Sequence, residues 1–292
     1  MSADEASLPN HDSTISSAAV VDSGSVSVDI RPQHARSKMA GEYTILTDVG
    51  RVRERNEDLA HANGKRRLYI LADGMGGHPD GNVAARIAVE TAMNYLTAKS
   101  VPGRPRDRGD KLINAIYAAN TAILERSKAG DGMPGMGTTL VCAWMGKRFL
   151  HVAHVGDSRL YRVRDGVACC LTRDHTVVRA LVDRGDLEPG SPEVLQLGHI
   201  LTQAVGLEPI VEPEMRKHET SLGDIYVLCS DGLSDLVPDS AIGTIVSTLA
   251  NDLEEAARAL VTTALNAGGH DNVTVLLVRD DQQRGSTPRK KR

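Results

Sequence analysis

Apolar positions along the chain fall into alternating blocks of strand and helix character. YTILT, from Tyr43, and RRLYILADG, which stops at Gly74, read as strands. From Asn82 to Ala98, NVAARIAVETAMNYLTA places apolar residues at helical spacing, and KLINAIYAANTAILERSKA does the same from Lys111. The Pro-, Gly- and Arg-rich KSVPGRPRDRGD between them reads as a loop. GTTLVCAWMG, KRFLHVAHVG, SRLYRVRDG and VACCLT follow, separated by short glycine-containing turns, which predicts antiparallel hairpins. Residues 175–205 give two short helical pieces broken by GDLEPGSPE, an expected mobile excursion from the core. DIYVLCSDG then predicts a strand, SAIGTIVSTLA and LEEAARALVTTALNAGG two helices, and NVTVLLVRD a last strand. The order predicts an α+β domain of about 240 residues, with no repeat at solenoid periods.

The two ends read differently. Residues 1–40 are Ser-rich with scattered acids and no sustained period, so they are expected to form a disordered leader. The domain is expected over 41–281, and 282–292, ending in RKKR, reads as a solvated basic tail. The N-terminus lacks the basic start and apolar stretch of a secretory signal. Hydrophobic residues make up 41% of the 292, with one Trp and one Phe, so the core must be aliphatic. A net charge of −4 argues against generic binding to nucleic acid or anionic membrane. No run is long enough to span a bilayer. Cys142, Cys169, Cys170 and Cys229 form no C-x-x-C pair and read as small buried side chains in a reducing compartment, the cytoplasm.

The chemistry gathers at strand ends. Asp73 (LYILADG), Asp157 (LHVAHVGDSR) and Asp231 (IYVLCSDG) each close an apolar strand, and Asp271 (GGHDNVTVLLV) precedes one. One Asp-Gly is an ordinary turn signal. Four carboxylates at strand ends are harder to dismiss, because each is costly to desolvate unless something pairs with it. If the ends converge, their repulsion calls for a cation, and an all-oxygen set favours Mg²⁺ or Mn²⁺. TDVGRVRERNED adds Glu57, Asp58 and three alternating arginines, Arg51, Arg53 and Arg55, which share one face if the segment is extended. A guanidinium fork suits phosphate. The glycine-rich ADGMGGHPDGN fits neither the P-loop nor the dinucleotide pattern, and no nucleophile elbow is present. His78, His154, His175 and His270 lie near these motifs and read as hydrogen-bonding partners.

In the order TDVGRVRERNED, LADGMGGHPDGNVAA, GMGTTL, HVGDSRLY, LTRDHT, LCSDGLSD and GGHDNVTV, the chain from about Tyr43 to Asp280 resembles the metal-dependent Ser/Thr protein phosphatases, the PPM or type 2C family, in its bacterial branch. The resemblance implies a four-layer αββα sandwich of two antiparallel sheets with a binuclear metal centre between their ends. It implies that Asp73 bridges two Mn²⁺ or Mg²⁺ ions, that Gly74 adds its carbonyl, and that Asp231 and Asp271 complete the first ion's direct ligands. Glu57 would hold the second ion through water, with Asp58 in support. Asp157, with Asp231, would serve a weaker third ion. Arg53 matches the arginine that binds substrate phosphate, and 175–205 the flap that borders substrate. Animal members carry His after Asp-Gly as proton donor; here Met75 stands there, leaving protonation to a metal-held water or another residue such as His78.

The implied activity is hydrolysis of phosphoserine and phosphothreonine on proteins by a metal-activated water, without a phospho-enzyme. The implied partners are phosphorylated proteins, namely bacterial-type Ser/Thr kinases and their substrates, with a monomeric enzyme and neither nucleic acid nor membrane. A pseudophosphatase binding module would require broken ligands, yet every matched position is occupied. A phosphatase of small phosphomonoesters would keep the site and differ at the flap.

Overall fold

The computed structural model describes residues 33–37, 40–75, 81–98, 107–129, 135–188, 191, 197 and 200–281. Two antiparallel sheets carry it. The first has the order β1 (Gln33–Ser37), β2 (Ala40–Asp48), β11 (Val273–Arg279), β10 (Ile225–Cys229), β7 (Arg159–Arg164) and β8 (Val167–Cys170). The second runs β3 (Asp58–Asn63), β4 (Leu68–Asp73), β5 (Leu140–Met145), β6 (Phe149–Val155) and β9 (Glu214–Glu219). Helices α1 (Gly81–Thr97) and α2 (Arg108–Lys128) cover the second sheet, while α5 (Asp239–Thr248) and α6 (Leu253–Asn266) cover the first. Two short helices, α3 (Val177–Arg184) and α4 (Asp231–Ser234), lie in the connections. The αββα sandwich is therefore as expected.

Three apolar layers hold it together, and the period of 2 along each strand sorts side chains between them. In β4, Leu68, Ile70 and Ala72 face α1 and α2, whereas Tyr69 and Leu71 enter the layer between the sheets. In β10, Ile225, Val227 and Cys229 face the other helices, whereas Tyr226 and Leu228 turn inward. Both faces of the central strands are covered, which is why they read as unbroken apolar runs. With few aromatics, the outer layers are closed by small side chains such as Ala84, Ala88 and Ala92 of α1, packed beside Ile116 and Ile123 of α2.

The structure departs from the sequence reading at the edges. β3 (DLAHAN) and β9 (EMRKHE) have no clean apolar alternation and were not expected, because an edge strand needs only one paired side and tolerates charge. Part of the expected leader is also corrected: Gln33–Ser37 pairs antiparallel with β2, with Gln33 opposite Ile45. The rest of the leader, the basic tail and the second helical piece of 175–205 lie outside the described residues. The expected hairpins hold for β5–β6 and β7–β8. The β6–β7 junction is instead a step from one sheet to the other. The step turns at Gly156, at φ +101°, where an added Cβ would lie 2.6 Å from Thr139 Cγ2. Of the cysteines, Cys142 and Cys229 are buried, but Cys169 is exposed on β8, the short outer edge.

Candidate metal centre

The carboxylates sit where the two sheets meet at one end. Asp58 opens β3 directly opposite Asp73, the last residue of β4. Asp157 lies in the β6–β7 step, Asp231 opens α4 just after β10, and Asp271 precedes β11. A cleft of about 400 Å³ is lined by Asp73, Gly74, Met75, Asp157, Asp231 and Asp271, with Arg53 and His270 at its side. The sequence expectation of convergence is met.

The backbone is fitted closely around these groups. The Asp73 amide donates to Thr139 Oγ1 at 3.0 Å, and its carbonyl accepts from the Thr139 amide at 2.8 Å and Thr138 Oγ1 at 2.7 Å. Thr139 Oγ1 also pairs with Ser158 Oγ at 2.7 Å, coupling the Asp73 strand to the turn after Asp157. Gly74 has no room for a side chain, since a Cβ would lie 2.3 Å from the Gly81 carbonyl oxygen. Its amide donates to the Glu57 carbonyl at 3.2 Å.

Asn272 organises the segment bearing Arg53 and Glu57. Its Oδ1 accepts the Glu57 amide at 2.8 Å, and its Nδ2 donates to the carbonyls of Val49 and Arg55 at 2.9 Å each. Asn272→Ala would leave these partly buried main-chain groups without this partner. We expect a loss of roughly 2–4 kcal/mol in unfolding free energy; denaturation in urea checks it, and a change below about 0.5 kcal/mol would rule out this role.

Electrostatics set the character of the cleft. Asp73 is held well above the usual carboxylate range by desolvation first, then by Asp58, Asp231, Asp157 and Asp271. Asp231 is likewise raised by desolvation, then by Asp157 and Asp235. Asp157 is pushed up to about 7 by desolvation and by Asp174. Asp58 rises to about 6 by burial, opposed by hydrogen bonds from Thr274 and Ser230. Ser230 Oγ donates to Asp58 Oδ2 at 2.7 Å. Oδ1 of both Asp58 and Asp231 is buried without a hydrogen-bond partner among the described residues. Mutually repelling carboxylates with uncommitted oxygens fit a hard divalent cation.

The arginines separate rather than share a face, because residues 51–57 bend instead of extending. Arg51 Nε donates to the Leu265 carbonyl at the end of α6, at 2.7 Å, so it anchors the loop and is not simply solvated. Arg53 Nη2 donates to Asp271 Oδ2 at 2.8 Å. The same bond is the main reason its pKa rises. Glu57 lies near the cleft, raised by desolvation and lowered in part by Arg53. His78 lies outside the described residues.

The sequence reading missed Asp235, Ser230, Asn272 and Thr139. Asp235 lines the cleft four residues after Asp231, and that spacing was an available signal. Nothing in sequence distinguished Ser230, Asn272 or Thr139 from other polar residues beside strands.

Protons and metal must compete here. Groups raised to about 6 and about 7 hold their protons at pH values where an ordinary carboxylate near 4 has lost its own. Mn²⁺ affinity is therefore expected to weaken as pH falls through 7 to 6 and to level off above about 7, with protons released on binding. Calorimetry in buffers of different ionisation enthalpy checks this, and an affinity independent of pH from 5.5 to 8 would contradict it.

Comparison with known proteins agrees with the geometry. Residues 51–267 match the family model described as protein phosphatase 2C. The chain is 38% identical over 244 residues to the serine/threonine protein phosphatase PstP of Mycobacterium tuberculosis, covering 83% of this chain but 46% of that one. It is 35% identical to the serine/threonine phosphatase Stp of Listeria monocytogenes, covering 82% of this chain and 96% of Stp. The crystal structure of the PstP catalytic domain in complex with two manganese ions superposes with a TM-score of 0.72 at 37% identity, covering 83% of this chain and 99% of that one. The chain thus spans about half of PstP and nearly all of Stp. Its sequence and its cleft together place it in the protein phosphatase 2C family, in the bacterial branch of metal-dependent enzymes.

Proposed function

We propose that the chain is a metal-dependent protein phosphatase that hydrolyses phosphoserine and phosphothreonine on proteins. The observation that carries this is the convergence of Asp58, Asp73, Asp157, Asp231 and Asp271 at one cleft with Arg53 at its side.

In this reading Asp73, Asp231, Asp271 and the Gly74 carbonyl would hold a first ion, and Asp73 would also contribute to a second. Glu57 would serve that second ion through water with Asp58 in support, and Asp157 with Asp231 would serve a weaker third. When bound, such a pair of Mn²⁺ or Mg²⁺ ions activates a water at neutral pH and neutralises charge. The chain's own residues do the rest. Arg53, which here pairs with Asp271, would turn its donors to hold and orient the phosphate if Asp271 served as a metal ligand. Ser230 fixes Asp58 by hydrogen bond. Met75 lines the cleft without a titratable group, so no proton is delivered from that position.

The same reading makes the sandwich from β1 to residue 281 the catalytic unit, with 175–205 beside the substrate, and assigns as partners Ser/Thr kinases and their phosphorylated targets. We also assign the chain to the cytoplasm, as a monomer; its free thiols suit a reducing compartment.

Hydrolysis of a phosphothreonine peptide with Mn²⁺, Mg²⁺ or EDTA tests the proposal. Activity should require added metal and exceed, in kcat/KM, that on small free phosphomonoesters. Full activity in excess EDTA after dialysis would refute the metal centre. Metal binding without turnover would favour a binding module, and preference for small phosphates a different substrate class.

A further inference from the structure

Outside the carboxylate cleft, one group of side chains has the composition of a different metal site. His154 lies near the end of β6, His175 just before α3, and Glu214 at the start of β9. One ligand atom from each lies within 4.8 Å of the others. We propose that His154, His175 and Glu214 form a separate site for a divalent ion of the zinc class, which fastens both roots of the 175–205 excursion to β6.

The fold brings the three together by register. His154 and Glu214 are direct cross-strand partners in the β6–β9 pair, so their side chains leave the same face of the sheet. The His175 ring stacks on His154 with centroids 4.9 Å apart and planes at 27°. His154 Nε2 lies 2.8 Å from the Arg173 carbonyl oxygen. A carbonyl only accepts, so the proton sits on Nε2 and Nδ1 keeps its lone pair, the outer hydrogen bond that commonly orients a ligating histidine. Among the described residues the His175 ring has one hydrogen-bonding contact, a long one of 3.4 Å from the Gly156 amide to Nδ1, and is therefore weakly committed. Burial lowers the pKa of both rings, keeping them in the neutral, ligating form at neutral pH.

Two imidazoles and one carboxylate are a donor set for Zn²⁺ and its neighbours, whereas the all-oxygen cleft suits Mg²⁺ and Mn²⁺. The two sites would sort metals by donor chemistry. Two arginines oppose binding: Arg173 acts on His175, and Arg216 pairs with Glu214. Arg216 and Glu214 are both partly exposed, so their pair is weak and the Arg216 guanidinium can swing into solvent.

The position gives the ion a mechanical role. His175 precedes Thr176, whose side chain caps α3. The Val177 amide donates to the Ile200 carbonyl at 2.8 Å, and the Thr202 amide to the His175 carbonyl at 2.8 Å, so both ends of the excursion meet beside His175. His154 stands three residues before Asp157. An ion here would hold the flap roots and the Asp157 turn in one rigid unit. The inference does not depend on the activity of the carboxylate cleft.

The test uses the full chain with excess Mg²⁺ occupying the cleft, titrated with Co²⁺. We expect intense visible absorption from four-coordinate nitrogen and oxygen ligation, saturating at one Co²⁺ per chain and erased by Zn²⁺. His175→Ala and Glu214→Gln should each weaken Co²⁺ binding by about tenfold or more. Arg216→Ala, which frees the carboxylate, should strengthen it. Glu214→Gln lies on an edge strand and decides the matter if His175→Ala fails to fold. Zn²⁺ should also slow proteolysis within 175–205. Absence of the absorption under Mg²⁺, or an affinity unchanged in Glu214→Gln, would overturn the site; cleavage insensitive to Zn²⁺ would overturn the fastening.

Discussion

Asp73→Asn and Asp231→Asn are each expected to lower kcat by more than about 100-fold at saturating Mn²⁺ while the chain stays folded. Even partners that only orient a ligand commonly cost 10- to 100-fold in affinity or activity, so a shared direct ligand should cost more. The change removes charge and almost no volume. At Asp73 the bonds to Thr138 and Thr139 involve the main chain, and they survive the substitution. Removal of this charge also relieves the repulsion between Asp73 and the neighbouring Asp58, Asp231, Asp157 and Asp271. In EDTA, Asp73→Asn should therefore melt at or above the wild-type temperature, and it should lose the wild-type gain on adding Mn²⁺. Thermal melts with and without Mn²⁺ read this directly. Retention of a tenth of wild-type kcat, or a metal-free variant markedly less stable than wild type, would refute the assignment.

Arg53→Ala should lower kcat/KM by roughly 30- to 1000-fold, from loss of a charge-assisted contact of about 2 to 4 kcal/mol. If the contact is equally strong in ground and transition states, KM rises and kcat holds; if it tightens as charge moves to the leaving oxygen, kcat falls as well. Phenyl phosphates with good leaving groups isolate the KM part. The Arg53–Asp271 bond gives the metal-free state a competitor for Asp271, so Arg53→Ala should bind Mn²⁺ as well as wild type or better. Arg55→Ala is the suitable control, with an expected change below about fivefold. Arg51→Ala is not, because Arg51 ties the loop to the end of α6. Loss of metal in Arg53→Ala, or an equal loss of activity in Arg55→Ala, would remove Arg53 from its phosphate role.

By itself the sequence determined the central strands, the long helices and four aspartates of the cleft, Asp73, Asp157, Asp231 and Asp271, though not Asp235. These were legible because burial on both faces enforces unbroken apolar runs, and an aspartate at the end of such a run is a desolvation cost that composition alone reveals. The motifs then matched Glu57 and Arg53 to roles that spacing had left open. Tertiary structure decided what depends on partners distant along the chain. Edge strands β3 and β9 exist because β4 and β6 have free sides, not because their own residues favour pleating. The β6–β7 connection crosses between sheets, since Gly156 turns tightly against Thr139, and that crossing delivers Asp157 to the cleft. Asn272 joins Val49, Arg55 and Glu57 across more than two hundred residues, a relation no local pattern encodes. The pairing of His154, His175 and Glu214 is of the same kind: strand register, and the main-chain bonds where 175–177 meets 200–202, bring together side chains that are ordinary when read one at a time.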